Sequence, residues 1–337
     1  MTALRNLNKS SAVPSSNDSP TERENVVVLA VHGGAGGDGP WRGMTDADPQ
    51  RLDCMRQLLS DIGARLSSGE LTALDAVTLA VEAMEDEALF NAGRGSVLDE
   101  SGAITMDASI MRGGDQAAGA VVGVSKTRHP IRIAYHLLER GWPVMLNGDA
   151  ADAYGITKGL EVVEPTWLVT ELRQAQWAKW KANKSAPGST DEDDEAVLDH
   201  DGMGTVGAVA LDSEGQLAAA TSTGGMTGKP DGRIGDTPII GAGTWADRKV
   251  AVSCTGVGEA FIRTCAARSL AAYHDRESLV ASGQRVLDEV APYGGRGGLI
   301  AVNAAGEVIV PFQTMLMYRG TYVNGAVELG IGPQIYD

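Results

Sequence analysis

Glycine is the residue that most restricts what this chain can fold into. The sequence has 43 glycines among 337 residues, but only three phenylalanines. Because glycine lacks a side chain, it serves tight turns and places where two main chains approach closely. Hydrophobic residues make up 43% of the sequence, which is enough for a sizeable core. We therefore expect a layered α/β protein with a pocket lined by main chain.

Charge and cysteine content exclude several classes of protein. The formal charge of −16 repels phosphodiester backbones, so we expect no nucleic-acid partner. No apolar run approaches the roughly 20 residues that cross a bilayer, and the N-terminus lacks the basic-then-apolar order of a signal peptide. The three cysteines, Cys54, Cys254 and Cys265, are widely spaced and form no CxxC pair. We expect free thiols, no membrane association and a cytoplasmic protein.

The N-terminal half begins with a polar tail and then alternates strands and helices. Residues 1–25 are rich in Ser, Asn, Pro and charge, so we predict a disordered tail. The run Val26 to Val31 predicts a buried strand. Asp48-Pro49 and Thr72, with an acidic residue three positions later, are typical helix starts. Further predicted elements are strands at 104–111 and 117–124 and a helix at 130–138.

A polar linker separates the two halves of the chain. From about residue 174 to 201 the sequence is polar and contains five consecutive acidic residues, so we expect a mobile segment. Gly204-Thr205 follows, and then two apolar runs joined by a turn predict a hairpin. Beyond it we predict a strand at 250–254, helices at 259–273 and 277–290, and a hairpin over 299–310.

Two common functional assignments, a dinucleotide site and a serine hydrolase, do not fit this sequence. Gly34-x-Gly36-x-x-Gly39 matches the dinucleotide fingerprint, but Pro40 follows and no helix signal appears before Asp48. The chain has no Gly-x-Ser-x-Gly elbow that would make one of its five histidines the base of a serine hydrolase. We interpret the histidines as structural. A hydrolase of this sequence would take its base from elsewhere.

The junction Gly204-Thr205 offers such a base. It begins an apolar strand and is followed in fixed order by Thr221 to Thr227, Gly232 to Pro238, and Thr255-Gly256-Val257-Gly258-Glu259. With Val31 to Gly36, Phe90 to Gly93 and Met317 to Arg319, these motifs make the chain resemble the plant-type asparaginases, also called isoaspartyl peptidases. That family is a threonine-type branch of the N-terminal-nucleophile hydrolases. The likeness runs from about residue 26 to 318.

The resemblance implies a self-cleaving fold. It implies a four-layer αββα sandwich, cut between Gly204 and Thr205 into an α chain (26–204 after the tail) and a β chain (205–337) of one domain. The freed α-amine of Thr205, with a reference pKa of about 8, would then activate the threonine hydroxyl. Family likeness also implies a dimer of αβ heterodimers.

The resemblance also implies a role for each matching residue. Thr223 tunes the nucleophile, Thr255 and Gly256 form the oxyanion hole, and Asn91 lies near the scissile bond. Arg233 clamps the substrate α-carboxylate and Asp236 takes its α-ammonium, with Gly235 and Gly258 beside them. Each residue alone has a structural alternative, such as an Arg233–Asp236 ion pair, so the joint pattern carries the prediction.

A sodium ion is the one bound ion that the resemblance implies, and we expect no cofactor in catalysis. Its ligands would be main-chain carbonyls, so side chains neither support nor exclude it. Glu87, Arg94 and the run 313–316 depart from the usual family pattern, around the ion and on the leaving-group side of the pocket. The implied carbonyl ligands are those of Met84, Glu85, Glu87, Phe90, Ala92 and Arg94.

The implied substrates are L-asparagine and β-aspartyl dipeptides, which share an aspartyl headgroup. An aspartylglucosaminidase is the nearest alternative, disfavoured by the lack of a secretory signal and of paired cysteines. An uncut small-molecule binding module is the alternative from outside the enzymes. Self-cleavage distinguishes that module from either hydrolase.

Overall fold

A computed structural model describes residues 26–36, 48–185, 204–332 and 335–336. They form a mixed α/β fold, as the glycine-rich composition predicted. The helices, in chain order, are α1 (Pro49–Ser67), α2 (Ala73–Asp86), α3 (Pro130–Arg140), α4 (Gly148–Thr157), α5 (Pro165–Leu168), α6 (Glu171–Lys184), α7 (Gly258–Thr264), α8 (Ala266–His274) and α9 (Leu279–Val290). The strands are β1 (Val28–Gly36), β2 (Met106–Arg112), β3 (Ala118–Val124), β4 (Met145–Asn147), β5 (Val206–Leu211), β6 (Leu217–Thr223), β7 (Thr244–Ala246), β8 (Val250–Gly256), β9 (Gly297–Asn303), β10 (Val308–Ile309), β11 (Leu316–Val323), β12 (Ala326–Gly330) and β13 (Ile335–Tyr336).

The strands form two sheets. The larger has the order β13-β12-β11-β1-β5-β6-β2-β3-β4, and the smaller has the order β10-β9-β8-β7. All neighbours pair antiparallel except β3 and β4, which are parallel. Strands from both halves of the sequence therefore share one sheet, with β1 paired directly to β5. A cut between residues 204 and 205 would leave the two chains joined by this ladder.

Three hydrophobic clusters hold the elements together. One lies between the large sheet and helices α1 to α3, and it includes Leu29, Leu59 and Ile131. A second lies between the two sheets, where alternate residues of β1 and β5 such as Val28 and Val209 meet residues of β8 and β9. The third packs α7, α8 and α9 on the small sheet. Both faces of β1 and β5 are buried, which explains their continuous apolar runs.

Local signals placed several helix ends correctly. The carboxylate of Asp48 accepts a hydrogen bond from the N–H of Gln50 at 3.0 Å, and Pro49 opens α1. Thr72 and Asp75 form a reciprocal capping box at the start of α2. Both caps satisfy main-chain N–H groups that have no partner inside the helix.

Two predicted segments differ in the structure. The predicted helix 259–273 is divided into α7 and α8 at Cys265, whose φ of 49° is left-handed. Helix α6 occupies the first part of the predicted linker, where Trp180 is buried and the indole N–H of Trp177 donates to the carbonyl of Asp99 at 2.7 Å. The lysines on either side of Trp180 interrupt the apolar spacing of this helix in the sequence. The predicted tail 1–25 and the rest of the linker, 186–203, lie outside the described residues.

No helix in the described ranges is both long and apolar enough to span a membrane. Among the described residues, β1 continues through Gly34 and ends at Gly36, so no helix begins at Gly34 as it would in a dinucleotide fingerprint. Position 39 lies outside the described residues.

Candidate active site

Thr205 stands at the head of β5, one residue before the strand begins. It is buried, and its hydroxyl donates to the hydroxyl oxygen of Thr223 at 3.2 Å. Thr223 is the last residue of β6, the hairpin partner of β5. The hairpin predicted from sequence therefore brings the two threonines together, 18 positions apart in the chain.

Asn91 fixes the turn that follows Thr223. Its side-chain amide N–H donates to the main-chain carbonyl of Gly225 at 2.7 Å. Its main-chain carbonyl accepts the N–H of Gly224 at 3.0 Å. The N–H of Gly225 in turn donates to the Thr223 hydroxyl oxygen at 2.9 Å. Asn91 thus does not contact Thr205 or Thr223 through these bonds, but it fixes the turn at Gly224 and Gly225 that holds the Thr223 hydroxyl.

Gly204 is in close contact with two of the sequence-predicted motifs. A Cβ on Gly34, where φ is +105°, would stand 2.4 Å from the N atom of Gly204. A Cβ on Gly204 itself would stand 3.0 Å from the hydroxyl oxygen of Thr255. Glycine at both positions therefore allows the β1 end, the Gly204–Thr205 peptide and Thr255 to approach one another.

Thr255 and Gly256 lie at the end of β8. The Thr255 hydroxyl oxygen accepts the N–H of Ala35 at 3.2 Å, which ties β8 to the end of β1. Gly256 has φ of +148°, and a Cβ there would stand 2.2 Å from the carbonyl oxygen of Arg296. No residue with a side chain fits this conformation without strain. The Thr255 hydroxyl is thus held beside Gly204, and the main chain of Gly256 follows it at the end of β8.

Arg233 is paired with Glu259, the second residue of α7. Its Nε and Nη2 donate to the two carboxylate oxygens at 2.8 and 2.7 Å. Burial alone lowers the pKa of Arg233, but the hydrogen bonds to Glu259 outweigh it and leave that pKa raised. The Arg233–Asp236 ion pair considered from sequence is not the contact that forms. The planar fork of the guanidinium is engaged by a carboxylate of the chain itself.

Asp236 is buried close to this pair. Its Oδ2 atom has no hydrogen-bond partner, and burial raises the pKa of the carboxyl to about 7, although Arg233 acts to lower it. A Cβ on Gly258 would stand 2.9 Å from Asp236 Oδ1, and one on Gly235 would stand 3.0 Å from Arg233 Nη1. A side chain at Gly258 would therefore crowd the acidic group, and one at Gly235 would crowd the basic group.

Sequence reasoning missed several residues around the site. Glu259 ends the motif Thr255 to Glu259, but the sequence assigns it no role. For His32 the sequence predicts only a structural role. Lys229 is buried, donates to the carbonyl of Thr105 at 2.8 Å and has a pKa lowered by burial. Burial raises the pKa of Asp107, which lies opposite Thr223 in the sheet. These are long-range contacts, and no local sequence signal marks them.

The predicted sodium loop connects α2 to the region around Asn91. A Cβ on Gly95 would stand 2.5 Å from the carbonyl oxygen of Ala88 and 2.7 Å from that of Phe90. The carbonyl of Glu85 accepts the N–H of Arg94 at 2.7 Å. The chain therefore forms a cradle of main-chain oxygens, the donor set that a hard cation prefers. No cluster of three or more His, Cys, Asp or Glu side chains suited to a metal occurs in the described part of the chain.

Known proteins resemble this chain over most of its length. A family model described as Asparaginase matches residues 25–331. An isoaspartyl peptidase of Escherichia coli strain K12 is 43% identical over 305 residues, covering 87% of this chain and 92% of the relative. An isoaspartyl peptidase/L-asparaginase of Xenopus laevis is 38% identical over 311 residues, covering 90% and 94%. One of Bos taurus is 36% identical over 311 residues, covering 90% and 96%.

A buried threonine hydroxyl at a strand head, hydrogen-bonded to a second threonine, in a chain that the Asparaginase family model matches, indicates an amide hydrolase of the N-terminal-nucleophile type. The chain belongs to the asparaginase family, and the resemblance drawn from its motifs is confirmed.

Proposed function

We propose that the chain cleaves itself between Gly204 and Thr205 and then hydrolyses the side-chain amide of L-asparagine and of β-aspartyl dipeptides. The observation that carries this proposal is the buried Thr205 hydroxyl, hydrogen-bonded to Thr223 and close to Thr255 across Gly204. The names of the relatives, isoaspartyl peptidase and L-asparaginase, support the choice of substrates.

Self-cleavage begins with attack of the Thr205 oxygen on the carbonyl carbon of Gly204. The Gly204–Thr205 C–N bond breaks, the threonine nitrogen leaves as an amine, and water hydrolyses the resulting ester. The contacts of Gly34 with Gly204 hold that peptide against β1. A glycine before the nucleophile tolerates the backbone distortion that this attack requires.

In substrate hydrolysis the new α-amine takes the proton of the Thr205 hydroxyl as its oxygen attacks the side-chain carbonyl. The negative oxygen of the tetrahedral intermediate receives hydrogen bonds from the Thr255 hydroxyl and the Gly256 N–H. Losing one such donor typically costs about 10²-fold or more in rate. Ammonia or the peptide amine leaves with a proton, and water then releases aspartate from the threonine ester. Thr223 and Asn91 hold the nucleophile in place.

The aspartyl headgroup is bound by opposite charges. The Arg233 fork takes the α-carboxylate, and the unpartnered Asp236 oxygen takes the α-ammonium. Gly235 and Gly258 leave the space between these side chains in which the headgroup fits.

The loop from Met84 to Arg94 would hold a structural sodium ion through main-chain carbonyls. The cradle around Gly93 and Gly95 supports this, and it adds the carbonyl of Ala88 to the ligands implied by resemblance. The ion would rigidify the loop that carries Asn91. The hydrolytic steps use only side chains and main chain of the protein, so we assign no cofactor to catalysis.

We further propose the four-layer αββα sandwich and the dimer of αβ heterodimers that family likeness implies. The order of the three hydrophobic clusters, helices on sheet, sheet on sheet and sheet on helices, supports the sandwich. The unpaired thiols of the three cysteines support a cytoplasmic location.

The test is intact mass and denaturing gel electrophoresis, followed by assay of released aspartate. Cleavage should convert the 337 residues into chains of 204 and 337 − 204 = 133 residues. Thr205→Ala should remain one chain, and Thr205→Ser should still cut, more slowly. β-Asp-Leu and L-asparagine should be hydrolysed, whereas α-Asp-Leu should not.

Each contrary result would support a different conclusion. Fragments unchanged by Thr205→Ala would refute the nucleophile. A single uncut chain without activity would favour the binding module. Preference for a glycosylated asparagine over β-Asp-Leu would favour an aspartylglucosaminidase.

A further inference from the structure

The side chain of His32 contacts the main chain of Thr205, the proposed nucleophile. Its Nδ1 atom lies 2.9 Å from the carbonyl oxygen of Thr205, and its Nε2 lies 2.9 Å from the hydroxyl oxygen of Ser253. A carbonyl oxygen can only accept, so Nδ1 carries the hydrogen and Nε2 accepts from Ser253. Burial lowers the pKa of His32 to about 3. The ring is therefore neutral and held in one tautomer by a contact at each nitrogen.

Thr205 needs such a contact because both neighbouring strand ladders have ended before it. The β1–β5 ladder ends at the pair His32–Gly207, and the β5–β6 ladder ends at Val206–Ser222. Thr205 lies one residue beyond the end of the β5–β6 ladder and two beyond the end of the β1–β5 ladder, and cleavage would make it a chain terminus. Chain termini fray unless they are tied down. Beyond the end of the ladder, the ring N–H of His32 donates a hydrogen bond to the main-chain carbonyl of Thr205.

Gly207 provides the space for this arrangement. A Cβ there would stand 2.4 Å from His32 Nε2 and 2.0 Å from the Ser253 hydroxyl oxygen. No positive φ is recorded at Gly207, so close contact rather than backbone shape requires glycine at this position.

Ser253 is held in turn by a line of buried hydroxyls between the sheets. The Thr221 hydroxyl lies 2.7 Å from Ser253, and Thr244 lies 2.5 Å from Thr221. Ser109 contacts Thr244 at 2.8 Å and the carbonyl of Thr237 at 2.6 Å. Thr237 directly follows Asp236. This line of hydroxyls therefore joins the main chain of the nucleophile to the main chain beside the headgroup site.

We propose that His32 is a positioning residue that fixes the main chain of Thr205 through its Nδ1–H, with Ser253 orienting the ring and Gly207 leaving room for it. This inference rests on the proposed function. The hydroxyl of Thr205 has one anchor in Thr223, and the carbonyl has the other in His32. Without the second anchor, the nucleophile can rotate while the headgroup clamp remains intact.

The kinetic test compares His32→Leu, His32→Asn and Ser253→Ala with wild type on β-Asp-Leu, normalised to the cleaved fraction measured by mass. His32→Leu should lower kcat by about 10- to 100-fold, because small misplacements of a reacting group have effects of this size. KM should stay within about threefold, since the clamp is separate. His32→Asn should recover most of kcat, because its amide keeps a donor near the Nδ1 position. Ser253→Ala should lower kcat by less than His32→Leu.

The matched control is Ser282→Ala in α9. Ser282 is also a fully buried serine, but its hydroxyl donates to the helix carbonyl of Ser278 at 2.9 Å. The kcat of Ser282→Ala should equal that of wild type. If His32→Leu does not fold, the same kcat and KM comparison of Ser253→Ala with Ser282→Ala decides the question. Unchanged kcat in His32→Leu, or equal losses in His32→Leu and His32→Asn, would overturn the inference.

A spectroscopic measurement separates this inference from the proposed function. In ¹⁵N-histidine-labelled protein, His32 should show the neutral Nδ1–H tautomer and should not titrate between pH 5 and 8, consistent with its pKa of about 3. A titrating ring or the Nε2–H tautomer would overturn the positioning role. A wild-type protein that shows the expected tautomer but leaves β-Asp-Leu intact would contradict the function and not the geometry.

Discussion

Asp236 should make headgroup binding depend on pH near neutrality. Burial raises the pKa of its carboxyl from 3.8 to about 7. The corresponding cost of ionising it in the folded protein is about 4 kcal/mol, at about 1.4 kcal/mol per pH unit. In the proposed function the ionised carboxylate binds the substrate ammonium. The free enzyme should therefore lose productive binding about tenfold for each pH unit below 7.

The variant Asp236→Asn isolates this effect from the α-amine of Thr205, which also titrates in this range. The ratio of kcat/KM between wild type and variant cancels the amine. Above pH 8 that ratio should be about 10 to 100, since a charged hydrogen bond contributes about 1.5 to 3 kcal/mol. Below pH 7 it should fall toward one as wild-type Asp236 becomes protonated.

The assay is aspartate release from β-Asp-Leu between pH 5 and 9, with the cleaved fraction held constant. A ratio independent of pH would refute the reasoning. Thermal melts provide a second check with a defined sign. Because the folded-state pKa is raised, the stability that protonation of Asp236 provides is lost between pH 4 and 7. Asp236→Asn should therefore melt close to wild type at pH 4 and above it at pH 8.

Two further predictions concern the headgroup clamp. Arg233→Lys keeps the charge but loses the planar fork, so kcat/KM for β-Asp-Leu should fall about tenfold or more while self-cleavage by intact mass persists; an unaffected enzyme would contradict the clamp. Glu259→Gln removes the acidic partner of Arg233 and a charge that raises the pKa of Asp236. It should lower KM and move the acidic limb of the kcat/KM profile to lower pH, and an unchanged limb would argue against their coupling.

Sequence patterns predicted the elements whose stability is local. The caps at Asp48 and Thr72 satisfy donors within three residues, and the β5–β6 hairpin is closed by a short turn. The break at Cys265 could not be predicted in this way. Its left-handed φ of 49° is uncommon for a residue with a side chain, and the run around it has helical spacing. Residues of both helices that flank the break pack on the small sheet, and such long-range contacts leave no local signal in the sequence.

In the candidate site, too, some residues could be predicted from the sequence and others depend on long-range contacts. The family resemblance implied that Thr205, Thr223 and Thr255 share one site, and the structure brings all three close to Gly204 or to each other. His32 and Ser253, by contrast, are 221 positions apart and meet because β1 and β8 lie in facing sheets. Contacts of this range depend on the register of both sheets, which residue spacing does not give.

The charges around the clamp explain why a whole aspartyl headgroup, and not a single charge, should be selected. Arg233 is already paired with Glu259, while Asp236 has a buried oxygen without a partner. A carboxylate alone would compete with Glu259 and place another negative charge near Asp236, which opposes its ionisation. An ammonium alone would satisfy Asp236 but leave Arg233 with Glu259. A ligand carrying both groups on one carbon satisfies both side chains at once and releases Glu259, whose carboxylate is half exposed, to water. N-acetyl-asparagine lacks the ammonium, so it should bind far more weakly than L-asparagine although the scissile amide is identical.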